Sequence, residues 1–250
     1  MAHSKLTSSK TTALLFVLLL GWTTAVSAQQ AQKVLSYGIV SSNTRTDLKV
    51  QDAIAGMNSA EQSKLFKQAI NLSCVVRSRI RAFSALGSWK DGAEHSVLLS
   101  VNGDEESLRY VLSRLGRDAQ QKYVIYFHPN PQGTSDLYTL WPRTRGRNLV
   151  ALTNELEQAG IPFRTLVPSG DTTAIYIIDL DRELGAKILA AARKLRARVT
   201  SQPGNAALFG DDERQQAKAK FEEEIKNYET KNPNLPPTCD AQKATAKGPR

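Results

Sequence analysis

Three arginines alternate over five residues, Arg143, Arg145 and Arg147, in a short loop that runs into a helix start capped by Asn148. An arginine fork matches the oxygens of a phosphate, sulfate or carboxylate. The free N–H groups and the dipole of a helix start favour the same anions. Tyr138 and Trp141, on the strand before the loop, supply aromatic faces for a sugar ring or a lipid head group. A solvated loop whose arginines pair with Glu155 or Glu157 is the plainer reading of the same residues. Further on, Arg193, Lys194, Arg196 and Arg198 crowd a helix end, where cations complement the dipole. If that end lies near Arg143 to Arg147, the two form one positive surface.

A second set has the types a hydrolase uses: Glu94, His95 and Ser96 in a row, with His128 at the end of another strand. Nucleophilic catalysis needs the imidazole in hydrogen-bond contact with the hydroxyl and a carboxylate behind it. No Gly-x-Ser-x-Gly elbow accompanies them. Strand-end histidines in ordinary polar contacts explain them more simply. Two histidines without a third ligand make no zinc set. Asp179, Asp181 and Glu183 are too few for a calcium loop, and Asp181 reads as a helix cap. No metal and no cofactor is expected.

The elements that must position these residues start after residue 28. His3, Lys5 and Lys10, an apolar run from Ala13 to Leu20 and the small residues Val26-Ser27-Ala28 have the layout of a secretory signal cleaved after Ala28, with an uncleaved anchor as the alternative. No later stretch is apolar enough to span a membrane. Cleavage leaves about 220 residues, one domain with decoration. The formal charge of +9 loses Lys5 and Lys10 and becomes +7. An exported basic chain meets anionic lipid, glycan or acidic protein rather than nucleic acid. In that oxidising space the two cysteines, Cys74 on a predicted helix and Cys239 in a Pro-rich tail, are candidates for one disulfide; two free thiols are the alternative.

Residues 29–58 read as an N-terminal arm with a short β-like run at Val34–Val40, an edge strand or a loose segment. Residues 59–200 read as an α+β core that opens with a helix. Ser59 and Gln62 form a capping box, and Leu65, Ala69, Leu72, Val76, Ile80 and Phe83 continue one apolar stripe toward Gly87. Strands follow at Ser96–Val101, Tyr123–His128, Leu137–Trp141, Phe163–Val167 and Ala174–Leu180, with helices after Asp104, Asn148 and Asp181. That order is the split βαβ pattern of a ferredoxin-like fold, an antiparallel sheet with helices on one face. No internal repeat is visible in the sequence. Residues 201–230 read as a loop and a charged helix with a thin stripe of Ala217, Phe221, Ile225 and Tyr228; residues 231–250 read as a disordered tail.

The functional expectation is a secreted or periplasmic, non-enzymatic protein that binds an anionic envelope ligand through Tyr138, Trp141, Arg143, Arg145 and Arg147. One alternative is an exported hydrolase built on Glu94, His95, Ser96 and His128. The other is an envelope interaction module that pairs its C-terminal helix with a partner.

Overall fold

The computed structural model describes residues 35–42, 48–89, 92–144, 148–161, 163–210 and 213–239. The expected signal segment and its cleavage point, Arg145, Arg147 and residues 240–250 lie outside the described residues.

Among the described residues the chain runs β1 (Leu35–Ser41), α1 (Val50–Ala55), α2 (Ala60–Val75), β2 (Arg81–Trp89), β3 (Gly92–Asn102), α3 (Glu105–Asp118), β4 (Val124–Pro129), β5 (Ser135–Trp141), α4 (Leu149–Gln158), β6 (Phe163–Ser169), β7 (Thr172–Asp179), α5 (Gly185–Lys194), β8 (Arg198–Phe209) and α6 (Arg214–Lys231). The strands close in the order β1-β3-β2-β6-β7-β5-β8-β4, and every neighbouring pair is antiparallel. This overturns the open ferredoxin-like sheet with helices on one face: the protein is a closed eight-stranded β-barrel with the helices packed outside it.

Two strands that the sequence reading lacked account for the difference. The helix opened by Ser59 stops at Val75, where Arg77 takes a left-handed φ of 56°, and the rest of its supposed stripe is extended as β2. Ile80 and Phe83 fit a helical spacing only by coincidence of sequence. The supposed loop around Pro203-Gly204 lies inside β8, where that strand changes partner: Arg198 to Gly204 pair with β5, and Gly204 to Phe209 with β4. Nor is Leu35–Ser41 an edge; β1 lies between β3 and β4.

With these strands in place a repeat of architecture emerges. The series β1-helix-β2-β3-α3-β4 has the same order of elements as β5-α4-β6-β7-α5-β8. Each half also has the same spatial order, fourth-first-third-second strand. The halves join through β2–β6 and β4–β8, which leaves no exposed strand edge among the described residues.

Closure makes three apolar regions. Ile39, Ala85, Leu98, Phe127, Leu137, Val167, Ala174 and Ile178 fill the lumen. The outer faces of β1, β3 and β4 pack under α2, α3 and α6; those of β5, β6 and β7 pack under α1, α4 and α5. Strands such as Ala174-Ile-Tyr-Ile-Ile178 are apolar on both faces because both faces are covered. The stripe of the charged helix α6 is buried against α3, where the Tyr228 ring stacks on Tyr110 at 4.4 Å and its hydroxyl lies 2.8 Å from Ser107 Oγ.

Gln62 ties α2 to the barrel wall. Ser59 Oγ accepts from the Gln62 N–H at 3.3 Å, as a cap should. The Gln62 side chain is fully buried, with Nε2 donating to Ala85 O at 2.8 Å and Ser96 O at 2.9 Å, and Oε1 accepting from Asn58 N at 2.6 Å. Gln62→Leu keeps the volume and strands two buried carbonyls and one N–H. The expected cost is about 2–3 kcal/mol, read as a lowered urea midpoint with an unchanged slope.

Candidate functional site

The barrel has two chemically different ends. At one, β5 ends and β8 begins, and Trp141 stands directly opposite Arg198. That register places the cluster Arg193, Lys194, Arg196 and Arg198 beside the loop that starts at Arg143, and all five of these cations are exposed. Thr144 Oγ1 in the same loop donates to Asp171 O at 2.8 Å, which ties it to the β6–β7 turn. β2 also starts at this end, after Arg77 and Arg79 and with Arg81 as its first residue, all exposed. The topology therefore puts cations from three distant segments at the same end of the barrel, here called the basic end.

Two large apolar side chains are exposed within it. Trp141 is 45% exposed and Phe83 37%. By strand alternation both lie on the lumen side of their strands, Phe83 opposite Leu98 and Trp141 in line with Leu137 and Thr139. They therefore stand at the barrel mouth. The neighbouring acids of α3 are engaged locally. Asp104 accepts from Ser107 N at 3.2 Å, Glu105 Oε1 lies 2.6 Å from His128 Nδ1, and Glu106 pairs with Lys231.

Tyr138 does not share the Trp141 face. Three residues apart on a strand, the two side chains point to opposite sides. Tyr138 packs outside the barrel near the start of α5, where a Cβ on Gly185 would come within 2.8 Å of its hydroxyl. Burial, then the nearby Asp136 and Asp179, push the Tyr138 phenol up. The stacking face expected of Tyr138 and Trp141 together is thus not formed, and Phe83 is a second exposed aromatic at this end of the barrel. The Asn148 cap is in place, with Oδ1 accepting from Ala151 N at 3.1 Å.

The hydrolase set is dispersed. Glu94 and Ser96 face the lumen and lie 3.4 Å apart through Ser96 Oγ and Glu94 Oε1. His95, between them, faces outward and holds Ala53 O through Nε2 at 2.7 Å. His128 is on the outer side of β4, beside Glu105. β1 separates β3 from β4. Neither histidine reaches Ser96 by these contacts, and no group of three or more metal-ligating side chains exists among the described residues. Asp181 caps nothing. Asp179 takes that place, its carboxylate accepting from the N–H groups of Asp181, Glu183 and Leu184 at 3.2, 3.2 and 2.8 Å.

Cys74 and Cys239 are bonded, with Cα atoms 5.5 Å apart. Among the described residues no helix is long and apolar enough to cross a membrane. Sequence reasoning missed Arg77, Arg79, Arg81 and Phe83 as members of this end because it placed them on or beside a helix. Compared with known proteins, the chain matches no family model, and no curated protein matches its sequence.

Proposed function

We propose that this chain is an exported, non-catalytic protein that docks the basic end of its barrel onto anionic phospholipid head groups. The observation that carries the reading is the register of Trp141 against Arg198, which joins the Arg143 loop to the cluster Arg193–Arg198 around an exposed aromatic mouth. Tryptophan suits the boundary between head group and acyl chain. Each arginine near an anionic surface contributes about 1 kcal/mol, and the attraction falls off within a Debye length. The alternatives have less support. The hydrolase set has no imidazole on its serine, and the α6 stripe that a partner helix would need is buried.

The test is co-sedimentation with vesicles of phosphatidylglycerol against phosphatidylcholine, at low and physiological salt. Binding is expected to the first only and to weaken as salt rises. Arg143→Ala with Arg196→Ala and Arg198→Ala should weaken it by about 3 kcal/mol, roughly a hundredfold. Trp141→Ala should lower affinity without changing the salt dependence. Binding indifferent to salt and to the three arginines would exclude the reading. Retention on a sulfated glycan with no vesicle binding would reassign the surface to a carbohydrate.

A further inference from the structure

The other end of the barrel holds a cavity of about 220 Å³. Among the described residues at its lining are Lys122, Arg164 and Arg214 and one acid, Glu94. Lys122 and Arg214 are exposed; Arg164 is 3% exposed. The Arg164 Nη1 donates to Ile161 O at 2.6 Å and its Nη2 lies 3.8 Å from Glu157 Oε2. Its Nε–H is buried without an acceptor among the described residues. Arg164 lies on the outer face of β6 with Leu166 and its side chain is 1% exposed, so it belongs to the wall, and the accessible cations are the two at the rim. Ile39, Ile125 and Ile178 give the lumen wall inside the rim an apolar part, beside the polar Ser41, Thr165 and Tyr176.

Room for Glu94 is built in. It faces Gly87 across the β2–β3 pair, and a Cβ on Gly87 would sit 3.0 Å from Glu94 Cγ and 2.8 Å from Ser96 Oγ. A side chain at position 87 would crowd the carboxyl.

We propose that this cavity binds a small organic acid, its carboxylate held between Lys122 and Arg214 at the rim and its hydrocarbon part laid along Ile39, Ile125 and Ile178. The exposed rim cations Lys122 and Arg214 decide the class: they repel an amine and attract an anion. Size sets the scale, since pockets for drug-sized ligands run to about 300–1,000 Å³ and this one is smaller. Glu94 does not oppose the anion when it carries its proton. Burial pushes its carboxyl above the usual range, against hydrogen bonds from Ser41 and Ser96 that lower it. Protonated, it offers an O–H donor to the ligand. The folded state then holds this proton more tightly than the unfolded chain does. Its contribution to stability is full below the ordinary carboxylate pKa and is lost as pH rises through the raised value.

The probes are hexanoate, hexylamine and hexanol, each titrated into the full chain and followed by thermal melting and by chemical shifts of Ile39, Ile125 and Ile178. Hexanoate is expected to bind saturably and raise the melting temperature by mass action. The amine and the alcohol should bind at least tenfold more weakly. Lys122→Gln with Arg214→Gln, both at exposed positions, should cost hexanoate about tenfold in affinity. Glu94→Gln, which keeps a donor and loses the titration, should leave hexanoate bound, raise the melting temperature at neutral pH and flatten its pH dependence. Preference for the amine, equal response to all three probes, no saturable response, or indifference to the two rim substitutions would each overturn the proposal. None of these substitutions touches the basic end, so vesicle binding should persist in all of them, and the two sites stand or fall separately.

Discussion

Replacing Cys74 and Cys239 together by serine is expected to lower the free energy of unfolding by about 5 kcal/mol. The bond closes a loop across a sequence separation of 165 residues, nearly the whole barrel. In the chain-entropy account the stabilisation grows with the logarithm of loop length and reaches about 5 kcal/mol at this size. The bond also has a packing partner. It draws the segment after α6 back to α2, where Leu235 packs against the outer core shared by α2, α3 and α6, and Cys239 N donates to Asn71 Oδ1 at 3.3 Å. Urea denaturation of the oxidised protein, the reduced protein and the double-serine variant measures the effect. The midpoint should fall in the last two alike, and the slope should rise because the uncrosslinked unfolded chain exposes more surface. Coincident midpoints would show that the tail is not held by the bond. A stabilisation of this kind survives only where thiols stay oxidised, in keeping with the export proposed above.

The elements with turn residues at both ends were legible in the sequence. Asp104 and Asn148 cap the helices they were expected to cap, and the strands at Val124–Pro129, Ser135–Trp141 and Phe163–Ser169 fall close to where alternation puts them. The barrel was not legible, and β2 shows why. Leu72, Val76, Ile80 and Phe83 keep a spacing of three and four. A strand entered straight from a helix can imitate one more turn of it. The break is made by Arg77 in a left-handed conformation, which no glycine or proline announces. With β2 absent, the element order began half a repeat late, and the sheet had no partner with which to close. A hint was available in the doubly apolar runs Val97-Leu98-Leu99 and Ala174–Ile178, which an open sheet with one bare face does not need.

The basic end was legible as parts and not as a whole. Arg143 and the cluster Arg193–Arg198 stand out in the sequence, yet their adjacency follows only from the pairing of β5 with β8, across a separation of 57 positions from Trp141 to Arg198. The opposite cavity is harder still. Lys122 precedes β4 and Arg214 opens α6, places that share no pattern, and Glu94 looked catalytic because His95 and Ser96 follow it. Strand alternation alone separates His95 from its neighbours. That rule was applicable once β3 was assigned, and it argues against the Ser/His pairing before any coordinate is known.

Phe127→Ala should cost about 3–5 kcal/mol, the range for deleting a fully buried aromatic ring from a core that cannot collapse. Phe127 is 0% exposed in the lumen, among Ile39, Leu98 and Leu137. A closed barrel is less able than a helix bundle to close over the void, since its diameter is fixed by strand number and stagger. Gly204 tests the same packing from the other side. It sits where β8 passes from β5 to β4, and a Cβ there would lie 2.5 Å from Phe127 Cζ and would overlap the His128 carbonyl oxygen. Gly204→Ala should therefore destabilise too, by about 1–3 kcal/mol for an overpacked site. Removing the ring relieves one of its two clashes, so the double variant should lose less than the sum of the singles by about 1 kcal/mol. Thermal and urea melts of the four proteins give the coupling directly. Additivity would mean that Phe127 does not pack on Gly204 as described. The substitution also bears on the cavity at the barrel end: Phe127 pairs across β1 with Tyr37, one inward-facing place deeper than Ile39 and Ile125. Its loss should lengthen the space behind them, so that longer organic acids gain affinity relative to hexanoate in Phe127→Ala, while the arginines at the opposite mouth keep their salt-dependent binding.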